Sequence, residues 1–182
     1  DFDSRDRRFV TELVYGVLRN LKLLDHYLES LSHTTLKELD ATVLWILRVA
    51  LYQIEFLRTP NHAVVNEAVE TCRRFRKASA HSFVNAILRG FLRERIPLPK
   101  GESSSDLAVR FSHPEWLVKR FLNRYGIKQT IALLKRNNQP PSSVHWVNVF
   151  MTDLPSLCKE LEEDQITYEV HSYLPNCISI QS

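Results

Sequence analysis

Leu47-Arg48-Val49-Ala50-Leu51-Tyr52-Gln53, Val65-Asn66-Glu67-Ala68-Val69-Glu70 and Ser82-Phe83-Val84-Asn85-Ala86-Ile87-Leu88-Arg89 are the three words that decide the fold of this 182-residue chain. Around the first, Leu36, Leu39, Val43, Ile46, Leu47, Ala50, Ile54 and Leu57 recur at spacings of three and four and share one helical face. Leu44 and Leu51 add apolar surface off that stripe. A helix over 36–57 that is apolar round so much of its circumference is expected at the centre, covered on more than one side. Thr35 followed by Glu38 has the capping-box pattern, which predicts the helix start there, and Pro60 stops the helix. The second word predicts a helix over 62–76 with Val64, Val65, Ala68, Val69 and Cys72 inward. The third predicts one over 80–95, capped by Ser79, with Phe83, Val84, Ile87, Leu88, Phe91 and Leu92 in a single stripe. Two shorter amphipathic helices are expected before these, at 6–19 and 23–32, separated by Asn20-Leu21-Lys22. Five helices with short connections make a bundle.

Composition bounds what surrounds the bundle. With 44% hydrophobic residues the chain can bury one full core and part of a second. No apolar run approaches the roughly 18 residues of a membrane span, and Asp1-Phe2-Asp3-Ser4-Arg5 lacks the apolar core of a signal peptide. Cys72, Cys158 and Cys177 are odd in number and without close spacing, so they imply neither a disulfide framework nor a zinc site, and a reducing cytoplasm fits them. The histidines are scattered, with no His-Glu-x-x-His or Cys-x-x-Cys setting. The chain opens on Asp1 without an initiator methionine and stops in the strand-like Ile178-Ser179-Ile180-Gln181-Ser182, which reads as a piece of something longer.

The net charge of +3 is unevenly spread. Lys plus Arg against Asp plus Glu is 15 to 12 over residues 1–95, 8 to 3 over 96–140 and 1 to 6 over 141–182. A basic body favours a polyanionic partner, because each neutralised phosphate releases condensed counterions. Arg73, Arg74, Arg76 and Lys77 crowd the end of the second long helix, and on the third His81, Asn85, Arg89 and Arg93 recur every four residues. Together they can present a ridge to an RNA backbone, with Phe75 available to stack on a base. Arg5, Arg7 and Arg8 form a second, weaker cluster. The plain alternative is that cations gather at a helix C-terminus because the macrodipole favours them there, and that a polar stripe marks any surface helix. Asn66 and Asn85, beside apolar residues, are expected to satisfy backbone groups between helices.

Beyond the bundle, Pro97-Leu98-Pro99-Lys100-Gly101-Glu102-Ser103-Ser104-Ser105 reads as an exposed linker. Phe111-Ser112-His113-Pro114-Glu115-Trp116-Leu117 then opens a helix with Pro114 in its first turn, Ser112 or His113 as cap, and Trp116, Leu117, Phe121 and Leu122 inward. After Gly126 a further helix carries Ile127, Ile131 and Leu134 and ends at Asn137-Asn138-Gln139-Pro140-Pro141.

The three helical words resemble the NusB fold, an all-helical RNA-binding module. The Ser-His-Pro-x-Trp-Leu word at 112–117 and the Asn-Asn-x-Pro-Pro word at 137–141 resemble the connector of the RsmB (Sun) family of ribosomal RNA cytosine-C5 methyltransferases. The resemblance implies a mainly α protein: a NusB-like helical bundle at 1–96, linker and connector helices at 97–139, and an incomplete α/β unit, RRM-like or ferredoxin-like, at 140–182. In that unit it implies strands at Val144 to Val149, Thr167 to His171 and Asn176 to Gln181, with a helix from Leu154 to Glu163. It implies the substrate-recognition portion of a methyltransferase acting on ribosomal RNA, 16S by family. The partners implied are that RNA and a C-terminal methyltransferase domain, and the cofactor is S-adenosylmethionine for the parent protein alone. Four glycines, Gly16, Gly90, Gly101 and Gly126, lie too far apart for a cofactor loop, so no cofactor-binding or catalytic residue is expected in this chain. Thr71-Cys72 imitates the family's catalytic Thr-Cys word, but Cys72 falls on an apolar stripe where a thiol is inert. Trp146 departs from the family's Leu-Arg-Val-Asn strand, standing where the arginine would be. Two other readings stay open: a stand-alone NusB-type antitermination adaptor that binds RNA without chemistry, and a protein-interaction scaffold. The reading frame beyond Ser182 would separate them.

Overall fold

A computed structural model describes residues 3–94, 96–139 and 143–180. The chain divides into two compact units, Asp1–Asn138 and Gln139–Ser182. In the first, α1 (Ser4–Arg19), α2 (Leu21–Leu31), α3 (Ala41–Phe56), α4 (Asn61–Arg74) and α5 (His81–Arg93) form the bundle, and α6 (Ser104–Arg110) and α7 (Glu115–Asn137) follow. Helix α3 packs against α1, α2, α4 and α5, the central place its apolar circumference predicts. Its Leu47 and Leu51 meet Leu24, Leu28, Cys72, Val84 and Leu88 in a fully buried core. On α1, a Cβ at Gly16 would collide with the Tyr52 ring, so glycine lets α1 lie close on α3 while the Tyr52 hydroxyl donates to Glu12. Arg48 grips Asp25 with two hydrogen bonds, 2.8 and 2.9 Å, tying α3 to α2.

Helix starts differ from the sequence reading in ways the caps explain. Helix α3 begins at Ala41, because Asp40 Oδ1 accepts the N–H groups of Thr42 and Val43 at 2.9 and 3.3 Å. Glu38 does reach back to the Thr35 N–H at 3.2 Å, but it closes only a single turn, from which Leu36 packs on the core. Ser79 does not cap α5. The short 3-10 turn Ala78–Ala80 runs directly into the helix, so the N-cap position, Ala80, has αR backbone instead of the extended backbone a capping hydroxyl needs. Leu92 lies off the inner stripe and is exposed.

The stretch read as an exposed linker is more ordered than its composition suggests. Ile96 and Leu98 pack on the bundle core, and Ser103 caps α6 by accepting the Asp106 N–H, so the serines belong to a helix start. Helix α6 ends with Ser112 in left-handed backbone, φ 53°, and the His113 N–H bonded to the Ala108 carbonyl at 2.9 Å. Pro114 is the N-cap of α7, one place earlier than expected. The inner face of α7 centres on Val118 with Phe121 and Leu122, and Trp116 points out, 65% exposed. Two residues of helix turn through about 200°, so Trp116 and Val118 cannot share a face. Gly126, φ 70° and ψ 176°, breaks α7 in two, and Ile127, Ile131 and Leu134 of its second half close a small core with Leu107 and Ala108.

In the second unit β1 (Ser143–Trp146), α8 (Leu154–Glu163), β2 (Tyr168–Val170) and β3 (Cys177–Ile180) build an antiparallel sheet in the order β1-β3-β2. Val144 pairs with Ser179 and Trp146 with Cys177, while Tyr168 lies opposite Ile180. The first strand ends at Trp146, short of the expected Val149, because Asn148 accepts the Phe150 N–H through its side chain and the Met151 N–H through its carbonyl, turning the chain. Strands β2 and β3 are each trimmed at their ends, with Gln181 outside the described residues. Among the described residues, every strand lies after residue 142.

Candidate nucleic-acid interface

The basic ridge is a helix end and the turn that follows it. Arg76 takes left-handed backbone, φ 57°, and the Lys77 N–H returns to the Cys72 carbonyl at 2.7 Å, which ends α4 and swings the chain toward α5. The ridge is not a row of free cations. Arg73 pairs with Glu70 at 3.2 Å, Arg74 with Glu67 at 3.3 Å, Lys77 with Asp40 at 2.6 Å and Arg93 with Glu94 at 2.8 Å. The hydrogen bond from Lys77, with the α3 cap behind it, holds the Asp40 carboxyl below its ordinary range. Arg76 has no acidic partner among the described residues. Phe75 is 60% exposed at the same turn.

Helices α4 and α5 bring part of the predicted set together. Arg73, His81 and Asn85 line one groove of about 590 Å³ with Asn66, Glu67 and Glu70. Arg89 lines a neighbouring groove that also borders Asn66 and holds His62. The asparagines do not tie helices together as the sequence suggests. Asn85 accepts from Arg89 Nε at 2.9 Å, within its own helix, and Asn66 is exposed with no hydrogen bond from its side chain among the described residues. At the first turns of α1, Arg8 Nε donates to the Ser4 carbonyl at 3.2 Å, and Arg5 and Arg7 are exposed. Phe9, on the next turn, lines the same apolar groove as Phe75, which brings the start of α1 beside the end of α4.

Further cations stand outside the predicted set. Arg120, Arg124, Lys128 and Lys135 are exposed along α7; Lys119 is engaged by Glu115 at 3.1 Å, and Arg124 lies over the Tyr125 ring at 5.6 Å. The 8-to-3 excess of residues 96–140 was the available signal for them. The connector words themselves serve structure. His113 is buried, its Nδ1 2.6 Å from the Phe111 carbonyl, and Asn138 donates to that same carbonyl at 2.8 Å, so the loop before α7 is pinned to its far end. Ser112 Oγ accepts the Lys22 N–H at 2.9 Å and so caps α2 from the connector.

S-adenosylmethionine does not fit these residues. Gly16 faces Tyr52, Gly90 faces Leu31, Gly101 abuts Asp106 and Gly126 stands in the open at the break in α7, so the four glycines form no common loop that could cradle it. Cys72 is fully buried, and burial pushes its thiol up, away from the reactive thiolate. Among the described residues no group of three or more His, Cys, Asp or Glu could hold a metal, and no helix is long and apolar enough to cross a membrane.

Residues 1–93, more than half of the 182, match the family model described as the NusB family. The chain belongs to the NusB family. After that NusB domain, residues 113–182 match the model described as the methyltransferase RsmF/B-like, ferredoxin-like domain. The chain is 33% identical over 174 residues to a probable ribosomal RNA small subunit methyltransferase B of Bacillus subtilis (strain 168), covering 93% of this chain and 38% of the relative. It is 29% identical over 179 residues to ribosomal RNA small subunit methyltransferase B of Escherichia coli O1:K1 / APEC, covering 98% and 41%. The chain thus spans about two fifths of the length of these relatives. Its fold also matches the crystal structure of PH0851 with a TM-score of 0.70 and 20% identity, over 99% of this chain and 41% of that one.

Proposed function

We propose that this chain is the RNA-recognition front of a ribosomal RNA cytosine-C5 methyltransferase: it holds and orients small-subunit RNA while a separate S-adenosylmethionine-binding domain of the parent protein performs the transfer. The observation that carries this reading is domain order. A NusB-family bundle is followed by a ferredoxin-like domain of the RsmF/B kind, and the similarity to methyltransferase B proteins runs through both. A stand-alone antitermination adaptor explains the bundle but gives no account of residues 113–182. The basic excess of residues 1–140, 23 Lys and Arg against 15 Asp and Glu from the two counts above, supplies the attraction that an RNA backbone requires. Two measurements test the division of labour. The chain should bind small-subunit ribosomal RNA fragments with an affinity that falls steeply with salt, and calorimetry with S-adenosylmethionine should show no heat of binding. Micromolar affinity for the cofactor would sink the assignment of chemistry to another domain, and the absence of salt-dependent RNA binding would sink the recognition role.

A further inference from the structure

The groove between α4 and α5 carries a chemistry that the cations around it do not explain. Two of the side chains lining it are carboxylates, Glu67 and Glu70, each held in place by an arginine of its own helix. Carboxylates repel phosphate, so the backbone of an RNA strand is excluded from the groove even where Arg73 and Arg74 attract it to the rim. What remains accessible is a set of hydrogen-bonding groups. Arginine is a donor without acceptor capacity, so the bond from Arg89 Nε fixes the Asn85 oxygen toward Arg89 and leaves its NH₂ group free. Asn66 offers both halves of its amide, since its side chain has no partner among the described residues. His81 Nδ1 lies 2.9 Å from the Ala78 carbonyl, which can only accept, so this bond anchors the imidazole as a face beside the groove.

Two carboxylate acceptors, a free amide and an anchored imidazole match the edge and face of a nucleobase that carries an exocyclic amine. Carboxylates accept from such amines, asparagine pairs with the donor–acceptor edge of adenine, and histidine is one of the rings on which unpaired bases stack. The volume, about 590 Å³, admits a base with room for its sugar. Asn66 also borders the groove of Arg89 and His62, where the next phosphate of the strand would find a cation. We infer that the α4–α5 groove receives one unpaired amino-bearing base of a single-stranded RNA, adenine, cytosine or guanine, and selects these over uracil. This rests on the RNA-recognition reading above and adds sequence preference to it.

The test uses the 182-residue chain and labelled single-stranded RNA tracts, with affinity read by fluorescence anisotropy at several salt concentrations. Adenine or cytosine tracts should bind about tenfold more tightly than a uridine tract, the discrimination expected of one good base-edge pairing. Replacing adenosine by purine riboside removes only the exocyclic amine and should cost the adenine tract most of that advantage, without touching the protein. Asn66→Ala with Asn85→Ala should abolish the preference and leave the slope of affinity against salt unaltered, because no phosphate contact is lost. Equal affinities for all tracts, with salt-dependent binding intact, would overturn the groove and leave RNA recognition standing. Absence of salt-dependent binding to any tract would overturn both. Should the double variant fail to fold, the purine riboside comparison decides alone.

Discussion

Asp40 does two things at once, and they can be separated. Its carboxylate caps α3 through Thr42 and Val43, and it holds Lys77 at 2.6 Å. The hydrogen bond from Lys77 lowers its pKa, so the native state favours the ionised form. The stability this brings is present above the ordinary carboxylate range near pH 4 and is lost as pH falls through the lowered value. Asp40→Asn keeps a capping oxygen and loses the charge; Asp40→Ala loses both. Urea unfolding should rank them wild type, Asn, Ala at pH 7, and the gap between wild type and the Asn variant should narrow toward pH 2. A gap that widens on acidification would show that the carboxyl is not held ionised. Lys77 belongs to the same pair, which makes it the member of the ridge with the clearest structural role.

At the scale of elements, Ser112 joins the connector to the bundle. Asn20 spends its side chain on the Gly16 carbonyl at 2.9 Å, closing α1, so the first N–H groups of α2 have no local cap. The Ser112 hydroxyl serves Lys22 and Leu23 instead, at 2.9 and 3.4 Å. Removing it in Ser112→Ala should cost about 1 kcal/mol, the usual loss for an N-cap. Ser112→Gly should cost less, since glycine accepts the positive φ more readily and recovers part of the loss. Chemical denaturation checks both, and an unchanged Ala variant would dismiss the cap. A bond across so many residues is invisible to a reading along the chain, which is why the sequence treated 97–105 as a boundary. Period, by contrast, was legible: Leu47, Val84 and Leu88 were placed on inward stripes from spacing alone, and all are buried. Trp116 was misplaced because hydrophobicity outweighed angle, and α6 escaped notice because seven residues in a serine-rich stretch are too few to show a period. Of the candidate site, the cation cluster was legible from counts, whereas its pairing with Glu67, Glu70 and Asp40 depends on which helix faces meet.

For the whole molecule, charge runs from +3 over residues 1–95 to +5 over 96–140 and −5 over 141–182, by subtraction of the counts above. The densest excess is therefore on the connector, while the ridge foreseen at 73–77 is largely spoken for by acids. A cation already paired must leave its carboxylate before it can replace a counterion on RNA, and the carboxylate left behind repels the strand. Each phosphate contact on single-stranded RNA contributes about −0.7 to the log-log slope of affinity against salt. Arg73→Ala with Arg76→Ala should thus flatten the slope by about 0.7, mainly through Arg76, and at most by about 1.4 if Arg73 also contributes in full. Arg120→Ala with Lys128→Ala removes two exposed cations that have no acid partner among the described residues, and should flatten it by up to about 1.4. Both variants replace exposed side chains, so their thermal transitions should stay near the wild type, which a melting curve monitors. A ridge variant with unaltered slope would move the contact to α7 or to Arg5, Arg7 and Arg8. Loss of folding in that variant would make Arg73 and Arg76 parts of the α4 terminus alone. If neither pair changes the slope, neither the ridge nor the middle of α7 holds the RNA backbone, and the contact falls to the remaining cluster of Arg5, Arg7 and Arg8 at the start of α1.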